Sequence, residues 1–155
     1  MKRTERELLE GMMRKRETDA AGLEILHLGD MVRLLATAAI GRVGFMADDE
    51  VAVLPVRFLV DGQDVVFRTY VGSKLSKMEV GHYACFEVDS YDAAARTGWS
   101  VVARGLVEKE SEAACARLDA PGVESWGGTA QERLWMRIRP TSMTGRRIAS
   151  PDAAD

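Results

Sequence analysis

The residues best suited to chemistry lie in one short run, Arg68-Thr69-Tyr70-Val71-Gly72-Ser73-Lys74-Leu75. A predicted strand ends here, Gly72 turns the chain, and a predicted short helix spans Ser73–Val80. Backbone N–H groups at such a turn point outward, the hydroxyls of Thr69 and Ser73 are donors, and Lys74 and Arg68 add positive charge. These features are typical of a phosphate-binding site. The local pattern equally allows Ser73 to be a helix cap and the two cations to be solvated surface groups.

Other chemistries find little support in the composition. The 155 residues include 21 Lys and Arg against 24 Asp and Glu, which argues against a protein that coats nucleic acid. The two histidines, His27 and His82, lack metalloprotease spacing, and Cys85 and Cys115 form no CxxC pair. We therefore predict no metal site and name no catalytic residue. No apolar run is long enough to span a membrane and no leader is recognisable, so the sequence predicts a cytoplasmic protein without membrane attachment.

The elements that must position the run are mostly strands. Asp30 is the predicted N-cap of a first helix, and Ser111–Leu118 is predicted as a later one. Alternating and β-branched residues predict the following strands, the last two of which are one strand or a pair: Ile40–Ala47, Val51–Val60, Asp64–Tyr70, His82–Asp89, Trp99 to about Glu108, Leu134–Arg139 and Met143–Ile148. Sequential strands with short turns favour a small antiparallel barrel or sandwich.

Pro55 interrupts the second of these strands. Because proline has no amide donor, the strand must be an edge at this point or carry a bulge. The sheet is therefore expected to open near Pro55, and a ligand could approach the backbone there.

The run at Arg68–Leu75 resembles the phosphate motif of the pyridoxamine 5'-phosphate oxidase-like FMN-binding split barrels, Tyr-Thr-Asn-x-x-Ser-Arg-Lys. Thr69 and Ser73 match, Lys74 keeps the charge of the family's arginine, and Leu75 replaces its second cation. Upstream, the family's Arg-x-x-x-x-Lys corresponds to the segment from Ala52 to Arg57, in which only the second cation is kept.

Further segments extend the resemblance over roughly residues 25–148. They are Leu54-Pro55-Val56, Gly98-Trp99-Ser100-Val101 and Trp135-x-Arg137-Ile138-x-Pro140. The resemblance implies a mainly β (α+β) fold, a six-stranded antiparallel split β-barrel with peripheral helices over residues 23–149. A helical arm over residues 1–22 would precede it, and a frayed tail over residues 150–155 would follow.

The resemblance also implies a homodimer with FMN at the subunit interface. The phosphate would lie on Thr69, Ser73 and Lys74, with Arg68 offsetting a lost cation. The flavin ring would rest on the strand before them, and the second subunit would reach the ligand from a later strand. The residues implied for these two contacts are Leu54, Pro55, Val56 and Arg57 for the first and Trp99 and Ser100 for the second.

The function implied is that of an FMN-dependent oxidoreductase with an unknown small-molecule electron donor and acceptor. The chain has Gly145-Arg146-Arg147-Ile148 near its end, where the vitamin B6 oxidases have an Arg-Leu-His-Asp-type segment that holds the pyridoxal ligand. Oxidation of pyridoxamine phosphate is therefore not expected. Two alternatives stay open, a reductase that uses a deazaflavin and a carrier or sensor that binds flavin or haem without turnover. The arginines near the end, Arg137, Arg139, Arg146 and Arg147, could reinforce the phosphate site or be solvated.

Overall fold

The computed structural model describes residues 16–119 and 133–148. Most of the predicted N-terminal arm and the predicted tail over residues 150–155 lie outside the described residues. Among those residues, no helix is both long and apolar enough to cross a membrane.

Strands dominate the described part of the chain. In chain order the elements are β1 (Glu24–Ile25), α1 (Leu28–Thr37), β2 (Ile40–Ala47), β3 (Glu50–Asp61), β4 (Asp64–Tyr70), a 3-10 helix (Leu75–Lys77), β5 (Tyr83–Asp92), β6 (Thr97–Lys109), α2 (Glu112–Asp119) and β7 (Arg133–Ile148). Every strand pairing between these elements is antiparallel.

The strands close on themselves. The sheet runs in the order β1-β7-β4-β3-β2-β5-β6, and β7 also pairs with β6. β7 can do this because it is 16 residues long: its first part pairs with β4 and most of its length pairs with β6. The predicted mainly β split barrel is confirmed. Six strands form the ring as predicted, and the two-residue β1, which pairs with the far end of β7, raises the number of described strands to seven.

The core fills the inside of this ring with alternate residues from each strand. Phe58 of β3 and Phe86 of β5 meet edge to face with their ring centroids 4.8 Å apart. Phe67 of β4 is fully buried, and α1 buries Met31 and Leu35 against the same cluster. The alternation places residues 52, 56 and 58 of β3 inward, and the exposed residues between them point away from this core.

Three predicted element boundaries differ from the structure. α1 begins at Leu28 with His27 as its N-cap, because the backbone carbonyl of His27 accepts from the amides of Asp30 and Met31; the predicted cap Asp30 lies in the first turn. The predicted strands His82–Asp89 and Trp99 to about Glu108 extend further toward each other, to Asp92 and from Thr97, and Asp92 closes the turn between them by accepting from the amides of residues 94 and 95.

The last two predicted segments, Leu134–Arg139 and Met143–Ile148, form one continuous strand. Pro140 lacks an amide donor, but it lies opposite Gly105, where the β6–β7 register shifts. The missing donor therefore falls at an irregularity of the ladder, and β7 continues through it.

A buried arginine ties α2 and the β3–β4 hairpin to β7. Arg137 is 8% exposed and donates to Asp61 at 2.7 Å, to Asp64 at 2.8 Å and to Glu110. Arg117 of α2 also reaches Asp61, at 3.2 Å. We call these residues the Arg137 cluster. Its hydrogen bonds from Arg137 and then Arg117 hold the pKa of Asp61 below its ordinary value of 3.8.

Candidate functional site

β3 and β4 separate at the point where the ligand was expected to reach the sheet. Their pairing runs from Asp61↔Asp64 to Phe58↔Phe67 and stops there, although both strands continue. Pro55 pairs with Arg42 of β2 on one side, and on the side of β4 it has no ladder partner in the described sheet. The predicted edge at Pro55 is therefore confirmed. A missing amide costs nothing on this side because no strand lies there to receive it.

The gap between the two strands is a pocket of about 340 Å³. That volume lies within the range of about 300–1,000 Å³ typical of ligand sites. The residues that line it come from β3, from the end of β4 and from the turn that follows: Leu54, Pro55, Val56, Arg68, Thr69, Tyr70, Ser73, Lys74 and Leu75. Seven of the ten residues predicted for the cofactor are in this set. Tyr70 and Leu75 were not predicted as contacts, although both stand within the motif run.

The floor of the pocket carries two buried hydroxyls. Thr69 is 2% exposed and Ser73 is 8% exposed, and their oxygens lie 2.6 Å apart. The backbone amide of Ser76 donates to Ser73 Oγ at 3.1 Å, and the Ser76 hydroxyl donates to the Ser73 carbonyl at 2.7 Å. Gly72 makes the turn possible, since its φ of 86° is a conformation that side chains with a Cβ rarely adopt.

The turn does not lead into the predicted helix Ser73–Val80. Only a 3-10 helix over Leu75–Lys77 forms, held by bonds between residues three apart. The Ser73 hydroxyl takes the amide of Ser76, as a serine at a turn commonly does. A helix this short has little macrodipole, so the anion-binding character of the pocket depends on hydroxyl donors and on Lys74.

Two lysines of the turn face an acidic hairpin tip. Lys74 Nζ lies 3.9 Å from a carboxylate oxygen of Glu50, and Lys77 Nζ lies 2.6 Å from one of Asp48. The pair with Lys77 lowers the pKa of Asp48 from its ordinary value. Only Lys74 of the two lysines lines the pocket, and its partner Glu50 is largely exposed. Glu50 is a neighbour of the site that sequence reasoning did not identify, because its proximity arises from the β2–β3 turn.

Of the two remaining cations predicted to contact the cofactor, Arg68 lines the pocket and Arg57 does not. The guanidinium carbon of Arg68 lies 5.7 Å from the centre of the Trp135 ring, across the β4–β7 pair, so a cation–π contact holds this side chain at the pocket wall. Arg57 is exposed on β3 and is not among the residues lining the pocket. Their contact with a phosphate stays a prediction.

Trp99 and Ser100 line a second pocket, of about 360 Å³, at the β5–β6 hairpin. Its wall also includes Tyr91 and Arg146, and it shares no lining residue with the pocket at Thr69. Within one subunit the two predicted halves of the cofactor site are therefore separate pockets. The predicted role of the second half requires a partner subunit.

The four arginines near the end of the chain make ion pairs within the subunit. Arg146 binds Asp19 at 2.8 Å and lowers the pKa of that carboxyl, and the other three bind carboxylates of neighbouring strands and turns. The pairs are Arg137 with Asp61, Asp64 and Glu110, Arg139 with Glu108, and Arg147 with Glu24. These arginines do not line the pocket at Thr69 and are not simply solvated; they tie β7 to its neighbours.

Comparisons of this chain with known proteins agree on one family. A family model described as pyridoxamine 5'-phosphate oxidase matches residues 29–147. An uncharacterized protein of Mycobacterium tuberculosis is 30% identical over 143 residues, which cover 88% of this chain and 93% of that protein.

Solved structures agree in fold over nearly their whole length. The FAD binding protein of Mycobacterium smegmatis is 32% identical with a TM-score of 0.66, covering 81% of this chain and 99% of that one. A protein of Corynebacterium glutamicum is 30% identical with a TM-score of 0.71, covering 82% and 98%. Residues 29–147, which the family model matches, contain the divergence of β3 and β4 and the Thr69–Lys74 turn. This chain therefore belongs to the pyridoxamine 5'-phosphate oxidase-like family of split barrels.

Proposed function

We propose that this protein is an FMN-binding flavoprotein that acts as an oxidoreductase on small molecules in the cytoplasm. The observation that carries the proposal is the pocket at the β3–β4 divergence. It combines two buried hydroxyls with the ammonium group of Lys74, which suits a phosphate. It places them beside the edge of β3 at Leu54–Val56, which has no β4 partner in the described sheet and suits a flat ring. The bound flavin would supply the electron-transfer chemistry, while this chain binds and orients it.

The choice of FMN rests on the size and charge of this pocket. The wall carries one lysine, Lys74, and one arginine, Arg68, whose guanidinium lies against Trp135. One short turn with Lys74 as its cation fits a single terminal phosphate. A similar protein is named as FAD binding, so FAD is the flavin against which FMN must be compared. A deazaflavin and haem are further ligands to be tested.

We propose further that two subunits share the cofactor. Trp99 and Ser100 would then reach the flavin from the partner, which accounts for their separation from Thr69 within one subunit. Linkage requires that a ligand bound across two subunits strengthens their association by the same factor by which association strengthens its binding.

The first experiment compares the affinity of the protein, freed of ligand, for FMN and for riboflavin by quenching of flavin fluorescence. Riboflavin has the same ring and side chain without the phosphate. A charge-assisted hydrogen bond contributes about 1.5–3 kcal/mol, so FMN should bind at least about tenfold more tightly. Lys74→Ala should remove most of this preference, whereas Lys77→Ala is the matched control, because Lys77 stands outside the pocket wall and binds Asp48.

Equal binding of FMN and riboflavin, or an unchanged preference in Lys74→Ala, would contradict the phosphate assignment. Tighter binding of FAD, a deazaflavin or haem than of FMN would identify the alternative ligand. For the shared site, Trp99→Ala should weaken self-association and FMN retention together, as followed by sedimentation and flavin fluorescence on dilution. A monomer with full affinity for FMN would refute it.

A further inference from the structure

We propose that Thr69 acts on the bound phosphate through Ser73, so that the two hydroxyls form a relay with a single donating end. Ser76 fixes the direction of this relay. The inference rests on the proposed function, because it assumes that the pocket holds the phosphate of a flavin. It makes Thr69 and Ser76 positioning residues and leaves Ser73 as the hydroxyl that contacts the ligand.

The two hydroxyls possess only two protons between them. Each hydroxyl has one proton to donate and two lone pairs that can accept. The 2.6 Å separation of Thr69 Oγ1 and Ser73 Oγ is that of a good O–H···O hydrogen bond, so one of the two protons lies between them. Only one proton is left for a ligand. The pair therefore offers the phosphate one hydrogen bond, although two hydroxyls line the pocket.

The surroundings of Ser73 decide which hydroxyl is the donating end. Its oxygen already accepts from the Ser76 amide at 3.1 Å. If Thr69 donates to it as well, both lone pairs of Ser73 are used and its proton is free to point at an anion. Ser73 is also the more accessible of the two, at 8% against 2%, and it directly precedes Lys74, which brings the ammonium group to the same part of the pocket.

Ser76 holds this arrangement in two ways. Its amide occupies one acceptor position of the Ser73 hydroxyl, and its own hydroxyl donates to the Ser73 carbonyl at 2.7 Å. A buried serine whose acceptor positions are filled is prevented from turning its proton away from the ligand. Ser76 and Thr69 therefore both donate to the Ser73 hydroxyl, and the Ser73 hydroxyl donates to the phosphate.

The test is a double-mutant cycle read as the ratio of FMN to riboflavin affinity, because a purely structural role would change both affinities alike. Ser73→Ala removes the donating end and should lower the ratio about tenfold or more. Thr69→Val should lower it by a smaller factor, about two- to fivefold, because the Ser73 proton stays available. The double variant should equal Ser73→Ala, and Thr69→Ser should restore the wild-type ratio.

Several outcomes would overturn the relay. A double variant whose loss is the product of the two single losses would show two independent donors, and a larger effect of Thr69→Val than of Ser73→Ala would reverse the direction. Thermal unfolding checks that each variant is folded, and Thr69→Ala replaces Thr69→Val if the valine is not accommodated. A wild-type protein with no preference for FMN would refute the proposed function itself, whereas a clear preference with additive losses would refute only the relay.

Discussion

Removing the guanidinium of Arg137 should be among the most damaging single changes to the stability of this barrel. The side chain is 8% exposed, and its three nitrogens donate to Asp61, Asp64 and Glu110. Arg137→Met keeps much of the volume but leaves three carboxylates facing one another, with the hydrogen bond from Arg117 to Asp61 remaining. Breaking a buried ion pair by removing one partner costs about 3–5 kcal/mol, a large part of the about 5–15 kcal/mol that stabilises a domain.

The matched control is Arg139→Met, two residues along the same strand. Arg139 is 58% exposed at the side chain, and in the described ranges its ion-pair partner is Glu108, at 3.1 Å. An exposed ion pair of this kind contributes about 0.2–1 kcal/mol, so the control should be nearly neutral. Urea unfolding at neutral pH measures both variants. A loss in Arg137→Met no larger than that in Arg139→Met would refute the view that the Arg137 cluster holds β7 to the β3–β4 hairpin.

The same pair of variants predicts a pH dependence. Hydrogen bonds from Arg137 and Arg117 lower the pKa of Asp61 from 3.8, so the stability that this carboxylate provides is present above 3.8 and is lost as pH falls through the lower folded value. In Arg137→Met much of that contribution is already absent. The difference in unfolding free energy between wild type and Arg137→Met should therefore shrink as pH is lowered from 7 to below 3.8, and a constant difference would contradict the assignment.

Three further predictions concern the site and the backbone. Glu50→Gln should tighten FMN binding by a factor of about 1.4 to 5 without changing riboflavin binding, because it frees Lys74 from an exposed ion pair; calorimetric titration measures it. Gly105→Ala should destabilise the protein in thermal unfolding, since a Cβ there would lie 2.0 Å from the backbone oxygen of residue 139. Gly29→Ala on α1 should instead stabilise it by up to about 1 kcal/mol, because a Cβ there meets only the end of the Arg33 side chain, at 4.0 Å. A truncated chain that starts at Gly22 should retain FMN binding in the same fluorescence assay, and a loss of flavin would show that the segment before it contributes to the site.

Where the signal is local, the sequence singled out residues that the structure places together. Thr69, Ser73 and Lys74 share one turn, and Gly72 marks the positive φ that this turn requires. Pro55 likewise predicts a strand edge, because the missing backbone amide is a property of proline itself. In each case the chemistry of a single residue type restricts the backbone, so no knowledge of the rest of the fold is needed.

Features that depend on distant contacts were missed. The proximity of Glu50 to Lys74 requires the β2–β3 turn to lie beside the turn that carries Lys74. The Arg137 cluster joins residues up to 76 positions apart. The sequence left open whether the last two segments are one strand or a pair, because it does not show that Pro140 lies opposite Gly105 at a register shift.

The most direct test of the central claim observes the phosphate itself. The phosphorus NMR signal of FMN bound to the protein should differ in position from that of free FMN. A free phosphate monoester takes up a proton near pH 6, whereas Lys74 and the Ser73 hydroxyl stabilise the dianion. The account therefore predicts that the bound signal stays constant as pH is lowered from 7.5 to about 5.5. A bound flavin whose phosphorus signal has the position and the pH titration of free FMN would contradict the account.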